Sequence, residues 1–181
     1  MIDLLTNFYA IPLQQVVVLM ILVIAIWIFL GGFCDWHGKK ARKSWRCVNL
    51  CLCVLSVIVI IKMTLIGRTV GVRQLELRPF YTFTTVSYNN EAFRTLLMNI
   101  FLFFPLGLTL PWTLDESESA KYRIVKCVLI GLGLSIGIES IQFAFGLGRA
   151  ETDDVICNTL GCMTGVLAFA TLRINQIVRR K

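Results

Sequence analysis

The residues able to do chemistry crowd into one stretch, Leu134 to Leu167. It sets Glu139, Gln142, Arg149, Glu151, Asp153, Asp154 and Asn158 in and between two apolar runs joined by a short Gly-containing link. A carboxylate inside a membrane-length apolar segment is expensive, so it needs a partner or a task. Ser135, Glu139 and Gln142 recur at i, i+4, i+7 and share one helix face. Asp154, Asn158, Gly161 and Gly165 share a face on the next helix, and the short link makes the two antiparallel neighbours. Glu139 then lies roughly 10 Å below the helix end, at about 1.5 Å per residue. Asn99, on an earlier apolar segment, falls at a similar depth. Independent spacings converge on one outward-opening polar pocket.

Three kinds of chemistry fit these residues. Glu139, Gln142, Asn158 and Asn99 can bond to one another and to Arg149, locking a bundle; intramembrane hydrogen bonds average under about 1 kcal/mol, so this would serve specificity more than stability. The carboxylates together with Arg78 and Arg149 can hold a lipid head group or another envelope molecule. A desolvated Glu139, with Asp154 nearby, can act as acid or base in an intramembrane enzyme that modifies an envelope lipid or polymer precursor. The catalytic reading lacks support from motifs: there is no HExxH, no GxSxG and no nucleophile beside a base. His37, the single histidine, lies far from the polar stretch. Ligand spacing demands no metal, and no cofactor motif is present.

The 181-residue chain that must position these residues is 56% hydrophobic and only 16% charged. A soluble domain would carry roughly a quarter charged residues. Apolar runs near twenty residues indicate a polytopic membrane protein of one domain. The net charge of +7 does not indicate a nucleic-acid partner, because the cations cluster beside the apolar runs, where they orient spans and touch anionic lipid. The seven cysteines form no CxxC pair and read as small packing groups.

In chain order, a lead from Met1 to Gln15 precedes spans expected at Val16–Phe33, Val48–Gly67, Thr95–Trp112, Val125–Phe145 and Val155–Leu172. Lys39, Lys40, Arg42, Lys43 and Arg46 form a basic loop after the first span. Lys62 snorkels from the second. Arg68 to Arg94 is the longest extramembrane stretch, with aromatic residues suited to an interfacial or re-entrant segment. Pro105 and Gly107 interrupt the third span and can kink it. Gly131, Gly133 and Gly137 allow close approach on the fourth, and Asp153 or Thr152 can cap the fifth. The Gly161/Gly165 pair suits tight helix packing and permits self-association. Twelve Lys and Arg residues fall on the segments at one side and five, Arg68, Arg73, Arg78, Arg94 and Arg149, on the other. The positive-inside rule then sets the amino terminus out and the carboxyl terminus in. The expected fold is an all-α, polytopic membrane bundle of about five transmembrane helices.

Three motifs resemble the VanZ-like family of bacterial membrane proteins: Leu77 to Phe80 (LRPF), Asn99 to Pro111 (NIFLFFPLGLTLP) and Ile138 to Gly161 (IESIQFAFGLGRAETDDVICNTLG). Their order and spacing agree across Leu77 to Val166. Glu151 stands where an Asp is more usual. The resemblance implies a multi-pass protein of the bacterial cell membrane, with recurring polar positions at Glu139, Gln142, Asp154 and Asn158. It also implies a link to reduced susceptibility to the glycopeptide teicoplanin. The expected partners are membrane lipids and an extracellular lipid, glycolipid or cell-wall-related ligand.

Overall fold

The computed structural model describes residues 13–85 and 90–179. The lead before Leu13, the end of the Tyr/Phe/Thr-rich run and the last two basic residues lie outside the described residues. The elements run α1 (Leu13–Trp36), α2 (Lys39–Thr64), β1 (Gln74–Glu76), α3 (Tyr81–Thr85), α4 (Asn90–Thr113), α5 (Ala120–Phe145), β2 (Arg149–Glu151) and α6 (Thr152–Arg179). Five helices are long and apolar enough to cross a membrane, over Val18–Trp36, Lys39–Thr64, Phe93–Thr113, Ala120–Phe145 and Thr152–Arg173. This is the expected all-α bundle.

The second helix begins earlier than expected, at Lys39. The basic cluster is therefore helical, not a loop, and the turn before it is very short. Lys and Arg are good helix formers and lose little by continuing the helix to its end. At the opposite end of the bundle two three-residue strands pair in parallel, with Gln74 opposite Arg149, Leu75 opposite Ala150 and Glu76 opposite Glu151. Three-residue strands carry no readable alternation, so hydropathy gives no sign of them.

The burial pattern is that of a bundle solvated by lipid. Ile21, Phe29, Leu50, Ile58 and Leu129 face outward, whereas Asn49, Arg123, Ser135, Glu139, Gln142, Asp153 and Asn158 are buried. Apolar side chains lose nothing in hydrocarbon, and polar groups there must pair internally. The inner core is built on Ile60, Phe103, Leu106, Cys162 and Val166. At the basic end Trp27, Trp45, Trp112 and Phe169 form a chain of ring contacts, with successive centroids 5.1, 5.8 and 5.2 Å apart. Asn49 stitches this end together, accepting from Trp27 Nε1 (3.1 Å) and donating to the Trp45 carbonyl (2.8 Å).

The contact between α4 and α6 is the most extensive in the bundle. Glycine makes it possible. A Cβ on Gly161 would overlap the Ile100 carbonyl, one on Gly165 the Phe104 carbonyl, and one on Gly107 the Cys162 carbonyl. The expected tight-packing face on α6 is thus used against α4 of the same chain, which leaves other surfaces for any self-association. On α5 only Gly131 meets a neighbour, Cys162 Sγ, whereas Gly133 and Gly137 face open space. Close approach through those two does not occur. The helix α4 runs unbroken through Pro105 and Pro111. Around them, Thr109 Oγ1 donates to the Pro105 carbonyl (2.8 Å), and the Arg123 guanidinium donates to the Pro111 carbonyl through Nε (3.1 Å) and Nη2.

Arg123, which falls between the spans expected at Thr95–Trp112 and Val125–Phe145, lies instead within α5 and is buried, with its guanidinium 4.6 Å from the Phe169 ring centre. Pro111 is among the last four carbonyls of α4, which have no intrahelical donor, so a buried arginine fits there.

The glycine contact yields a direct test. Gly161→Ala should destabilise the detergent-solubilised protein by about 1–3 kcal/mol, the usual range for overpacking. Gly137→Ala, facing open space, should leave the thermal unfolding midpoint within a degree or so, about 0.5 kcal/mol.

Candidate functional site

The polar cluster forms where the ends of α2, α5 and α4 meet the start of α6. Three features deliver it. First, α5 ends on Gly146 in the left-handed conformation (φ 63), whose N–H bonds back to Phe143 while the Leu147 N–H reaches the Gln142 carbonyl (2.9 Å). Glycine is the residue that takes this conformation without a Cβ penalty, and a Cβ here would also strike the Gly71 carbonyl at 2.6 Å. Second, the strand pair β1–β2 lays the segment after α2 across the α5–α6 link. Third, the glycine face of α6 holds α4 close enough for Asn99 Nδ2 to donate to Asp154 Oδ1 at 2.6 Å.

The side chains lie in tiers. Outermost is an ion-pair layer: Arg78 bonds both Glu76 carboxylate oxygens at 2.8 Å, and Arg149 pairs with Glu76 (3.2 Å) and Glu151 (3.3 Å). Arg78 also lies over the Tyr81 ring at 4.3 Å. Below it, Glu139 Oε2 accepts from the Glu151 N–H (3.1 Å), and Asp154 meets Asn99. Arg68 lies within electrostatic reach of both carboxylates, and its Nη1 fills the space beside Gly148. Deepest is Asn158, donating to Ser135 Oγ at 2.9 Å. Its Oδ1 is buried with no partner among the described residues.

The structure brings Asn99, Glu139, Asp154 and Asn158 together, and sets Arg149 above them. Two expected members stand apart. Gln142 turns to α2, donating to the Thr64 carbonyl at 3.1 Å, so it satisfies a helix end. The Arg78 side chain, 70% exposed, belongs to the outer ion-pair layer. Asn99, Glu139, Gln142 and Asn158 do not bond to one another, as the first of the three readings would have them do. Each pairs instead with a separate element.

Of the two residues offered as the α6 cap, Asp153 or Thr152, Asp153 has a different use: its buried carboxylate accepts from the Phe80 N–H (2.5 Å) and the Thr82 N–H (2.7 Å). It therefore caps α3, more than 70 residues away in sequence. Phe80 is held there at φ 64, the one non-glycine residue in the left-handed region among the described residues. Such a conformation costs about 1–3 kcal/mol and persists only where neighbours enforce it. Thr82 adds a bond from its hydroxyl to Glu151 at 2.8 Å. The Leu77–Phe80 motif and the α6 acidic pair are thus two halves of one joint. Arg68 was missed as well, since an exposed cation after a span reads as an ordinary interfacial residue.

Beside Glu139 and Glu151 a groove of about 290 Å³ opens between β1, β2, α5 and α6. Leu75, Leu77, Ile136, Phe143 and Val155 supply apolar walls, and the two carboxylates supply its polar edge. No cluster of three or more His, Cys, Asp or Glu suited to a metal occurs among the described residues. The groove thus sets apolar walls beside two carboxylates.

A bundle of membrane-length helices, with a carboxylate-edged groove at one end, defines a polytopic helical membrane protein with a recessed polar site. The chain belongs to the VanZ/LLP1 family, whose family model matches residues 16–173 and so takes in the first span and the basic segment. It is 36% identical over 95 residues to Protein VanZ of Enterococcus faecium, an alignment covering 52% of this chain and 51% of that protein. The chain thus spans about half the length of the curated relative it matches. No solved structure matches it.

Two tests address the joint above the site. Asp153→Ala removes two charge-assisted bonds, each worth about 1.5–3 kcal/mol. Hydrogen exchange at the Phe80 and Thr82 amides should accelerate by at least about ten-fold, while the α4–α6 contact stays protected. Glu76 supplies the second. Hydrogen bonds from the Arg78 side chain, with the Arg78 and Arg149 charges, hold its carboxyl down from 4.5 to about 2. A depressed carboxyl keeps its bridge at all pH above 4.5 and loses it only as pH falls toward 2. A ¹³C carboxyl titration of Glu76 should therefore have its midpoint near 2, returning toward 4.5 in Arg78→Gln.

Proposed function

We propose that this protein is a non-enzymatic component of the bacterial cell membrane that binds an amphipathic, lipid- or glycolipid-like envelope ligand at the groove beside Glu139. Through that binding it reduces susceptibility to teicoplanin. The amino terminus lies outside and the carboxyl terminus inside, so the groove opens on the external leaflet. The observation behind this reading is the pairing of a membrane-depth carboxylate with apolar walls in one open groove. A carboxylate serving only to lock the bundle would be closed over by its partners. Glu139 instead uses one oxygen on the Glu151 N–H and borders open space. Membership of the VanZ/LLP1 family and the similarity to Protein VanZ support the general kind of function.

Asn99, Asp154 and Asn158 share the polar cluster with Glu139 without lining the groove, and Arg68 and Arg149 add positive charge near its two carboxylates. The Asn158 oxygen adds an acceptor for a ligand donor or a water reaching the deepest tier. Binding needs no nucleophile and no redox partner, in keeping with the residues present.

Expression in a teicoplanin-susceptible bacterium tests the proposal. Glu139→Gln and Asp154→Asn keep shape and remove charge, so both should abolish the reduction in susceptibility at unchanged membrane abundance. Loss of abundance in parallel with the phenotype would reassign Glu139 and Asp154 to folding. A changed profile of envelope lipids or cell-wall precursors, reversed by Glu139→Gln, would replace binding with catalysis.

A further inference from the structure

A second, wider cavity lies at the other end of the bundle from the carboxylate groove. It measures about 680 Å³ and is bounded by Lys39, Arg42, Lys43 and Arg46 of α2, with Thr113 and Glu116 opposite. Four cations thus face a single carboxylate. Glu116 is already engaged by Arg46 at 3.6 Å, and Arg46 also donates to the Leu114 carbonyl at 3.4 Å. The remaining three cations, on the first turns of α2, border the cavity with no other acidic residue in its wall among the described residues. The helix begins there on Gly38, which offers no capping side chain, so unsatisfied first-turn N–H groups add to the positive potential.

The cavity floor is apolar. Cys47 and Leu50 close it on the membrane side. From Leu50 an outward row continues through Val54, Ile58 and Ile61, exposed by 53%, 53%, 55% and 37%. The eleven residue steps from Leu50 to Ile61 extend about 16 Å at about 1.5 Å per residue, about half of a roughly 30 Å hydrocarbon core. One leaflet's depth of apolar surface therefore hangs directly beneath a cationic cavity.

We propose that this cavity is a binding site for an anionic phospholipid, with the phosphate-bearing head group among Lys39, Arg42 and Lys43 and an acyl chain along Leu50, Val54, Ile58 and Ile61. The positive-inside rule explains an excess of cations at one side of a membrane, but it does not require them to surround a cavity. Basic pockets at the ends of spans suit phospholipid head groups. A soluble anion would use the cations and ignore the apolar row, whereas a phospholipid uses both. The site is separate from the proposed function and independent of which leaflet it faces.

Native mass spectrometry of the full-length protein in detergent, with phosphatidylglycerol and phosphatidylcholine added in equal amounts, tests it. Phosphatidylglycerol adducts should dominate. Arg42→Gln/Lys43→Gln should weaken them by about ten-fold, given the interaction expected per basic residue. A charge-matched control, Lys40→Gln/Lys121→Gln, changes residues outside the cavity wall and should retain them. Equal adducts with both lipids in the wild-type protein would overturn the proposal, and that comparison holds whether or not a variant folds. An equal loss in the control pair would also overturn it, by reducing the preference to net charge. Displacement of phosphatidylglycerol by inorganic phosphate alone would overturn it too, leaving an anion site with no lipid role.

Discussion

The glycine-mediated approach of α4 to α6 is the constraint on which the other features rest. Gly107, Gly161 and Gly165 let main chain meet main chain, and in lipid such packing replaces the hydrophobic drive that water would supply. It also sets register. Gly161 faces Ile100, and one residue earlier on α4 and two turns earlier on α6 stand Asn99 and Asp154 at 2.6 Å. A shift of α4 by one residue would turn Asn99 away and leave Asp154 without its amide donor. The same small-residue face that closes the bundle therefore places the site.

On this frame the acidic residues divide their work. Asp153 and Asp154 are adjacent, yet one is spent holding the Phe80–Thr82 turn and the other faces Asn99. Glu76, Arg78, Arg149 and Glu151 make a layer above them that is exposed enough to exchange with water. Glu139 and Glu151 are the members whose surroundings include open groove. This division separates carboxylates buried against backbone and amide donors from those that edge the groove. The strained Phe80 fits this picture: its left-handed backbone stands where the Phe80 and Thr82 N–H groups both reach one carboxylate, and Asp153 offsets that strain with charge-assisted bonds.

The two ends of the bundle differ in chemistry. The groove end is rich in carboxylates and short strand pairing, while the opposite end combines indole rings, the buried Arg123 and the cationic cavity. Arg123 is instructive because it is charged, buried and still well placed. The unsatisfied carbonyl of Pro111 and the Phe169 face give its guanidinium what water would have given. The asymmetry matches a protein fixed across two dissimilar interfaces.

Much of this was legible in the chain as written. Hydropathy located five membrane-length helices because lipid makes the apolar requirement continuous over about twenty residues. Helical spacing put Ser135 and Glu139 opposite Asp154 and Asn158, since two antiparallel neighbours leave few choices of face. The Gly161/Gly165 spacing marked a close contact. What only the tertiary structure decided were contacts spanning long sequence distances: Asp153 with Phe80 and Thr82, Gln142 with Thr64, Arg68 with the carboxylates, and β1 with β2. Periodicity reports which face of a helix is buried and says nothing about which distant backbone donor will arrive there. Asp153 looked like a local cap because a local partner is the cheaper one in entropy; the packing of α4 on α6 brought a better one within 2.5 Å.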